Sequence, residues 1–185
     1  MYEWIRPQEA MSLLSPYERD FFELEFGGIG TRQYYQRRLV GIGFSDLGDV
    51  LDAGCGMGQW SIALADANQH VHGVDVNVGR LFFARETADV NGVANISFRY
   101  ASLEDLPFNS QAFDGIFCYG VVMFTDVNRS LREFARVLRI GGKLYLNVNS
   151  SGWALHLMLD RGLKARDANA VRSGIRMLHR QARGK

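Results

Sequence analysis

The sequence predicts an α/β fold, a Rossmann-like, doubly wound and mostly parallel sheet. Three observations predict it. Short apolar stretches alternate with helical segments between residues 48 and 148. The run VLDAGCGMGQW, Val50 to Trp60, carries an apolar strand into an acid and then into Gly54, Gly56 and Gly58 at every second position. A second apolar run ends in another acid, Asp75.

With 185 residues the chain suffices for one structural domain with a full core and is short for two. Residues 1–44 read as a helical lid segment, broken at FGGIGTRQYY, where glycines mark a turn. The core segment, 45–150, opens with a strand at Asp49 to Ala53 and a helix from Gly58 to Ala67. A strand at His70 to Asp75 and a helix from Val78 to Asn91 follow, the helix ended by Asn91-Gly92. Strands are expected at Ile96 to Tyr100 and Phe113 to Cys118. A helix from Val127 to Arg139 comes next, ended by Gly141-Gly142, and then a strand at Lys143 to Asn147. In that last helix Leu131, Phe134, Ala135 and Leu138 recur at three- and four-residue spacing, so this face is expected on the sheet. Residues 151–185 show no strand pattern and read as a basic helical segment, with helices at Trp153 to Leu163 and Asp167 to Gln181.

Composition is that of a soluble globular protein: 47% hydrophobic, 22% charged and a net charge of +1. No apolar stretch reaches the roughly 18–20 residues of a membrane span. The first twenty residues mix charges with apolar groups and lack a signal-peptide core, which predicts a cytoplasmic protein. Charge is uneven: residues 151–185 hold eight Lys or Arg against two acids, a balance of +6, leaving −5 for the rest. Cys55 and Cys118 lie far apart with no CxxC spacing, and the four histidines show no zinc pattern, so no metal is expected. His70 and His72 share one strand face and read as strand-edge residues.

The glycine turn predicts a ligand. A strand that ends in such a turn and opens a helix presents backbone N–H groups, and glycine lets a ligand approach closely. The dinucleotide fingerprint GxGxxG is absent, because Gln59 stands where the last glycine belongs, which argues against a nicotinamide oxidoreductase. Asp52 at the turn's mouth repels a pyrophosphate and suits an ammonium group. Asp75, 17 residues after Gly58, is placed to accept both hydroxyls of a ribose, the alternative being a cap for the next helix. A ribose and an amino-acid end together make up most of S-adenosylmethionine.

At these residues the chain resembles a known family. VLDAGCGMG, GVDVN, ASLEDLPF, FDGIFCYGVVMF and LREFARVLRIGGKLYL stand in the order and spacing of class I S-adenosylmethionine-dependent methyltransferases, over residues 48 to 148. The resemblance implies that Gly54, Cys55 and Gly56 pack against the methionine part of the cofactor, with Asp52 near its amino group. It places the ribose on Asp75, one adenine face on Val76, and the adenine edge at Ser102 and Leu103, where Ser102 replaces the usual acid. Cys118 and Tyr119 match the segment beside the sulfonium. Many relatives carry a histidine a few residues on, where this chain has Met123-Phe124. Tyr119, Tyr34 and Tyr35 are candidates to activate an acceptor, weighed against packing as core aromatics, and Arg32 is a candidate partner for the methionine carboxylate.

The C-terminus departs from the family, in which a helix and two further strands follow the fifth strand. Without them the fifth strand presents an open edge. A second copy of the chain, another partner, the C-terminal helices or further chain is expected to cover it. Arg172, Arg176 and Arg180 form a stripe at four-residue spacing, beside a face of Val171, Ile175 and Leu178. The stripe fits a solvated face, and also an anionic acceptor, a membrane surface or nucleic acid. No nucleic-acid module is recognisable, so a small-molecule or glycan-like acceptor is the expected substrate. The alternative is a cofactor-binding but catalytically silent subunit that supports a partner.

Overall fold

A computed structural model describes residues 7–12, 14–23, 26, 31–148, 158, 171–172, 174–175 and 178–179. Three helices come first: α1 (Gln8–Ser12), α2 (Pro16–Phe22) and α3 (Arg32–Gly41). The core follows as β1 (Asp49–Ala53), α4 (Gln59–Ala67), β2 (His70–Asp75), α5 (Val78–Val90), β3 (Ile96–Tyr100), β4 (Phe113–Tyr119), a 3₁₀ turn (Val122–Phe124), α6 (Val127–Val137) and β5 (Leu138–Asn147). Among the described residues the sheet has five strands in the order β3-β2-β1-β4-β5, and every pairing is parallel. The chain order reverses between β1 and β4, the place in an open parallel sheet where a ligand is expected at the C-terminal strand ends.

Helices cover both faces because strand side chains alternate. Val50, Val71, Phe98 and Phe117 meet a core built with α3, α4 and α5. Leu51, Ala53, Val74, Ile116 and Cys118 meet a second core with Phe134 and Val137 of α6. The two apolar sets share strands and point opposite ways.

Two glycines let the turns at these strand ends pack closely. Gly58 caps α4 with φ +86°, and a Cβ there would sit 2.9 Å from the Ala84 Cβ. Gly54 has φ +84°, and its Cβ would lie 2.6 Å from Val121 Cγ1 in the loop after β4. The turns after β1 and β4 therefore touch, which any side chain at Gly54 would prevent.

Three expectations are corrected. Helix α6 stops at Val137, short of Arg139, because Gln111 and Ala112 N–H groups take the carbonyls of Arg136 and Val137 at 2.9 and 2.8 Å. The chain then pairs at once as β5, and Gly141-Gly142 lie inside that strand. Its register passes from Phe113↔Leu138 to Gly115↔Lys143, a bulge in which Arg139 reaches Asp114 at 2.5 Å and Asp49 at 3.2 Å. The face of α6 turned to the core is Ser130, Phe134 and Val137, so of the expected four residues Phe134 alone is fully buried. Leu131 and Ala135 are exposed. Glu133 and Arg136 decide this rotation: Glu133 accepts the Leu106 N–H at 2.8 Å, and Arg136 donates to the carbonyls of Phe108 and Leu106.

Most of the C-terminal expectation lies outside the described residues, including the helix at Trp153 to Leu163, Arg176 and Arg180. Residues 171–172, 174–175 and 178–179 are helical, Arg172 is exposed, and Leu178 packs on Met123. The glycines of FGGIGTRQYY also lie outside.

Candidate cofactor and acceptor site

The turn after β1 is held by the neighbouring strand. Gly54 and Cys55 N–H groups donate to the Val74 carbonyl at 2.8 and 2.9 Å, and the Gly56 N–H donates to Asp75 Oδ2 at 3.0 Å. These three amides are spent inside the protein, so they hold the turn closely against β2 and are not free for a phosphate.

Asp75 is 9% exposed at the tip of β2. Its second oxygen accepts the Asn77 N–H at 2.8 Å, and Asn77 itself caps α5 through the Arg80 N–H. The capping role thus belongs to Asn77. Each carboxylate oxygen of Asp75 keeps a lone pair for a hydroxyl donor. Val76, next along, is 60% exposed and offers an apolar surface to a ring. The Ala101 N–H donates to the Asp75 carbonyl at 3.1 Å, bringing the following segment alongside. There the Ser102 hydroxyl accepts the Glu104 N–H at 3.2 Å, while Leu103 is buried in the second core. Glu104 in turn accepts the Asp126 N–H at 2.7 Å, so α6 braces this loop at both ends.

Asp52 lies beneath α4, 2% exposed, and accepts the Ser61 hydroxyl at 2.5 Å. Burial lifts its carboxyl to about 7, Ser61 opposes the rise and the charge of Asp75 adds to it. The folded protein therefore holds this proton more tightly than the unfolded chain. The stability this contributes is complete below about pH 4, declines as pH rises, and is gone above about pH 7. Thermal melts from pH 4 to 8 are expected to show wild type losing stability relative to Asp52→Asn across that window. Parallel curves would mean that Asp52 stays ionised throughout.

Among the other expected residues, Arg32 is engaged elsewhere. Its guanidinium holds Asp66 through Nε at 2.6 Å and a second, shorter contact, in the last turn of α4 and about 10 Å along the helix from Gln59. Gln36 joins it on Asp66 at 2.8 Å, so this pair staples α3 to α4. Cys118 is fully buried on the α6 face, and burial pushes its thiol up to about 12. Cys55 is also buried, and both thiols are free. Tyr35 is buried against the Trp60 ring at 4.6 Å. Tyr119 lies on the α4 face beside Trp60 at 5.0 Å.

Two residues that sequence reasoning passed over belong here. Arg38 of α3 stands over Tyr34, Trp60 and Tyr119 at 5.6, 5.5 and 5.8 Å from their ring centres, and donates to the Tyr34 hydroxyl at 3.0 Å. Burial works against its charge, and the hydroxyls of Tyr34 and Tyr119 outweigh that and hold it above its ordinary value. Gln59, the first residue of α4, is 7% exposed, and its carbonyl oxygen has no hydrogen-bond partner among the described residues. A buried, unpaired acceptor is costly unless a ligand satisfies it. Directly after the glycine turn, it suits the ammonium of an amino-acid end. Arg38 was hidden because its three rings are dispersed over residues 34 to 119, and Gln59 showed only as a break in a fingerprint.

Among the described residues no group of three or more His, Cys, Asp or Glu is placed to hold a metal ion, and no helix is long and apolar enough to cross a membrane.

The pattern of the methyltransferase domain family matches residues 50–142. The uncharacterized methyltransferase YcgJ of Bacillus subtilis is 38% identical over 98 residues, which cover 52% of this chain and 39% of YcgJ. Its crystal structure superposes with a TM-score of 0.57 over 60% of this chain and 49% of that one, at 31% identity. The aklanonic acid methyltransferase DauC of a Streptomyces species is 34% identical over 113 residues, covering 58% of this chain and 51% of DauC. The mmp1179 protein of Methanococcus maripaludis shares the fold over 92% of this chain and 79% of its own, with a TM-score of 0.63 and 22% identity. The chain spans about half the length of the curated relatives it matches. With the glycine turn, Asp75 and the β3-β2-β1-β4-β5 sheet in place, the chain belongs to the class I S-adenosylmethionine-dependent methyltransferase family.

Proposed function

We propose that this chain binds S-adenosylmethionine in the crevice above β1, β2 and β4 and transfers its methyl group to a small-molecule acceptor. The observation that carries this reading is the bond from the Gly56 N–H to Asp75, which sets the close-packed turn and the ribose acceptor on one ligand-sized surface. Gln59 and Asp52 supply acceptors at the amino-acid end, and Val76 and Ser102 flank the base. S-adenosylmethionine, when bound, supplies a methyl group on a positively charged sulfur, so the acceptor needs alignment more than activation. The chain's part is to fix the cofactor, hold the acceptor in line and keep water out. Tyr34 and Tyr119 stand where an acceptor would enter, and they remain the candidates for taking its proton. Relatives named for aklanonic acid and demethylmenaquinone support a small organic acceptor over a glycan-like one. A cytoplasmic location fits such chemistry.

Calorimetric titration with S-adenosylmethionine, S-adenosylhomocysteine and NADH tests the reading. Binding of the first two at micromolar to low-millimolar levels, without NADH binding, is expected. No binding of either sinks it, and binding with no turnover on any acceptor transfers support to the catalytically silent subunit.

A further inference from the structure

Arg38 is a cation with no anion beside it among the described residues. Arg32, six residues earlier on the same helix, holds Asp66. Among the described residues no carboxylate pairs with Arg38, although it is half-buried and sits against three aromatic rings. Its guanidinium has five N–H donors, and the Tyr34 hydroxyl at 3.0 Å takes one. A half-buried guanidinium with donors to spare favours an anionic partner, and a flat one most of all.

Its location says which part of a reaction it serves. Asp75 at the tip of β2 takes the ribose, and the glycine turn follows β1, so the cofactor's reactive end is directed across β1 towards β4. Tyr119 ends β4, Trp60 lies in the first turn of α4, and Arg38 spans the two. Trp60 is itself buried, 6% exposed, against Tyr119 and under Arg38, and the aromatic surface left beside the guanidinium is that of the partly exposed Tyr34 and Tyr119.

Resting on the methyltransferase reading above, we propose that Arg38, with the Tyr34 and Tyr119 rings, selects an acceptor that joins a planar ring to an acidic group. The ring packs against these two tyrosines and the acid is held by the guanidinium, which sets the ring position presented to the methyl group. Arg38 acts as a specificity-determining residue.

The test uses 1-hydroxy-2-naphthoate and its uncharged amide as probes, titrated into the whole chain saturated with S-adenosylhomocysteine. Wild type is expected to bind the acid about tenfold more tightly than the amide, the effect of one charge-assisted pair. Arg38→Gln should abolish that preference, Arg38→Lys should keep part of it, and the affinity for S-adenosylhomocysteine should be unchanged in both, which also shows that they fold. Equal binding of acid and amide by wild type overturns the proposal, as does a preference that survives in Arg38→Gln. A loss of S-adenosylhomocysteine affinity matching the loss of acid affinity overturns it too, by assigning Arg38 to the cofactor's own carboxylate. If wild type fails to bind S-adenosylhomocysteine at all, the methyltransferase reading falls first, and this proposal with it.

Discussion

Replacing Asp75 with Ala is expected to weaken S-adenosylmethionine binding by roughly ten- to hundredfold, the loss of one or two hydrogen bonds to a charged group. Two effects combine. The carboxylate proposed to take the ribose hydroxyls is gone, and the N–H groups of Gly56 and Asn77, bonded to it at 3.0 and 2.8 Å, lose their acceptor. The turn after β1 is then released from β2 at one of its three backbone ties, while Gly54 and Cys55 still hold the Val74 carbonyl. Asp75→Asn separates the two effects, since its one carbonyl oxygen can still accept a backbone N–H but the charge is lost. Its affinity should fall between those of wild type and Asp75→Ala. An affinity in Asp75→Ala within threefold of wild type would place the ribose elsewhere.

Replacing Phe117 with Ala is expected to cost about 3–5 kcal/mol of stability, measured as the shift in a urea unfolding midpoint at constant slope. Phe117 is fully buried at the centre of β4. Its ring stacks on Tyr145 at 5.0 Å with a 10° tilt, and also meets Trp60 at 5.0 Å and Phe44 at 5.7 Å. The cavity left by Ala is bounded by a strand on each side, so its walls have little freedom to close. The same substitution at Phe82, which is 43% exposed on α5, should cost less than about 1 kcal/mol. A loss below 1 kcal/mol at Phe117 would mean that this face of the sheet repacks. Because Tyr119 rests against Phe117, the variant should also blunt any preference for flat acceptors.

Much of the core was legible in the sequence because strands and helices in an α/β unit bury their own residues in a local pattern. The ranges at Asp49–Ala53, His70–Asp75 and Ile96–Tyr100 needed only an apolar run and a polar or glycine boundary. The Gly54–Gly58 turn and Asp75 were also legible, since a strand end, a tight turn and an acid at fixed spacing are local events. What the sequence did not reveal was set by contacts between distant segments. The end of α6 depended on Gln111 and Ala112 taking its last carbonyls, and its buried face on Glu133 and Arg136 gripping the loop around Leu106. Arg32 and Arg38 lie six residues apart on one helix, and nothing local distinguishes their tasks. Only the packing of α3 along α4 brings the first to Asp66 and the second to Trp60 and Tyr119. The sequence by itself determined the order of strands and helices and the residues of the cofactor turn, because these follow from patterns within about ten residues. Tertiary structure alone decided which of these two cations meets Asp66 and which lies over aromatic rings, because that depends on where two helices cross.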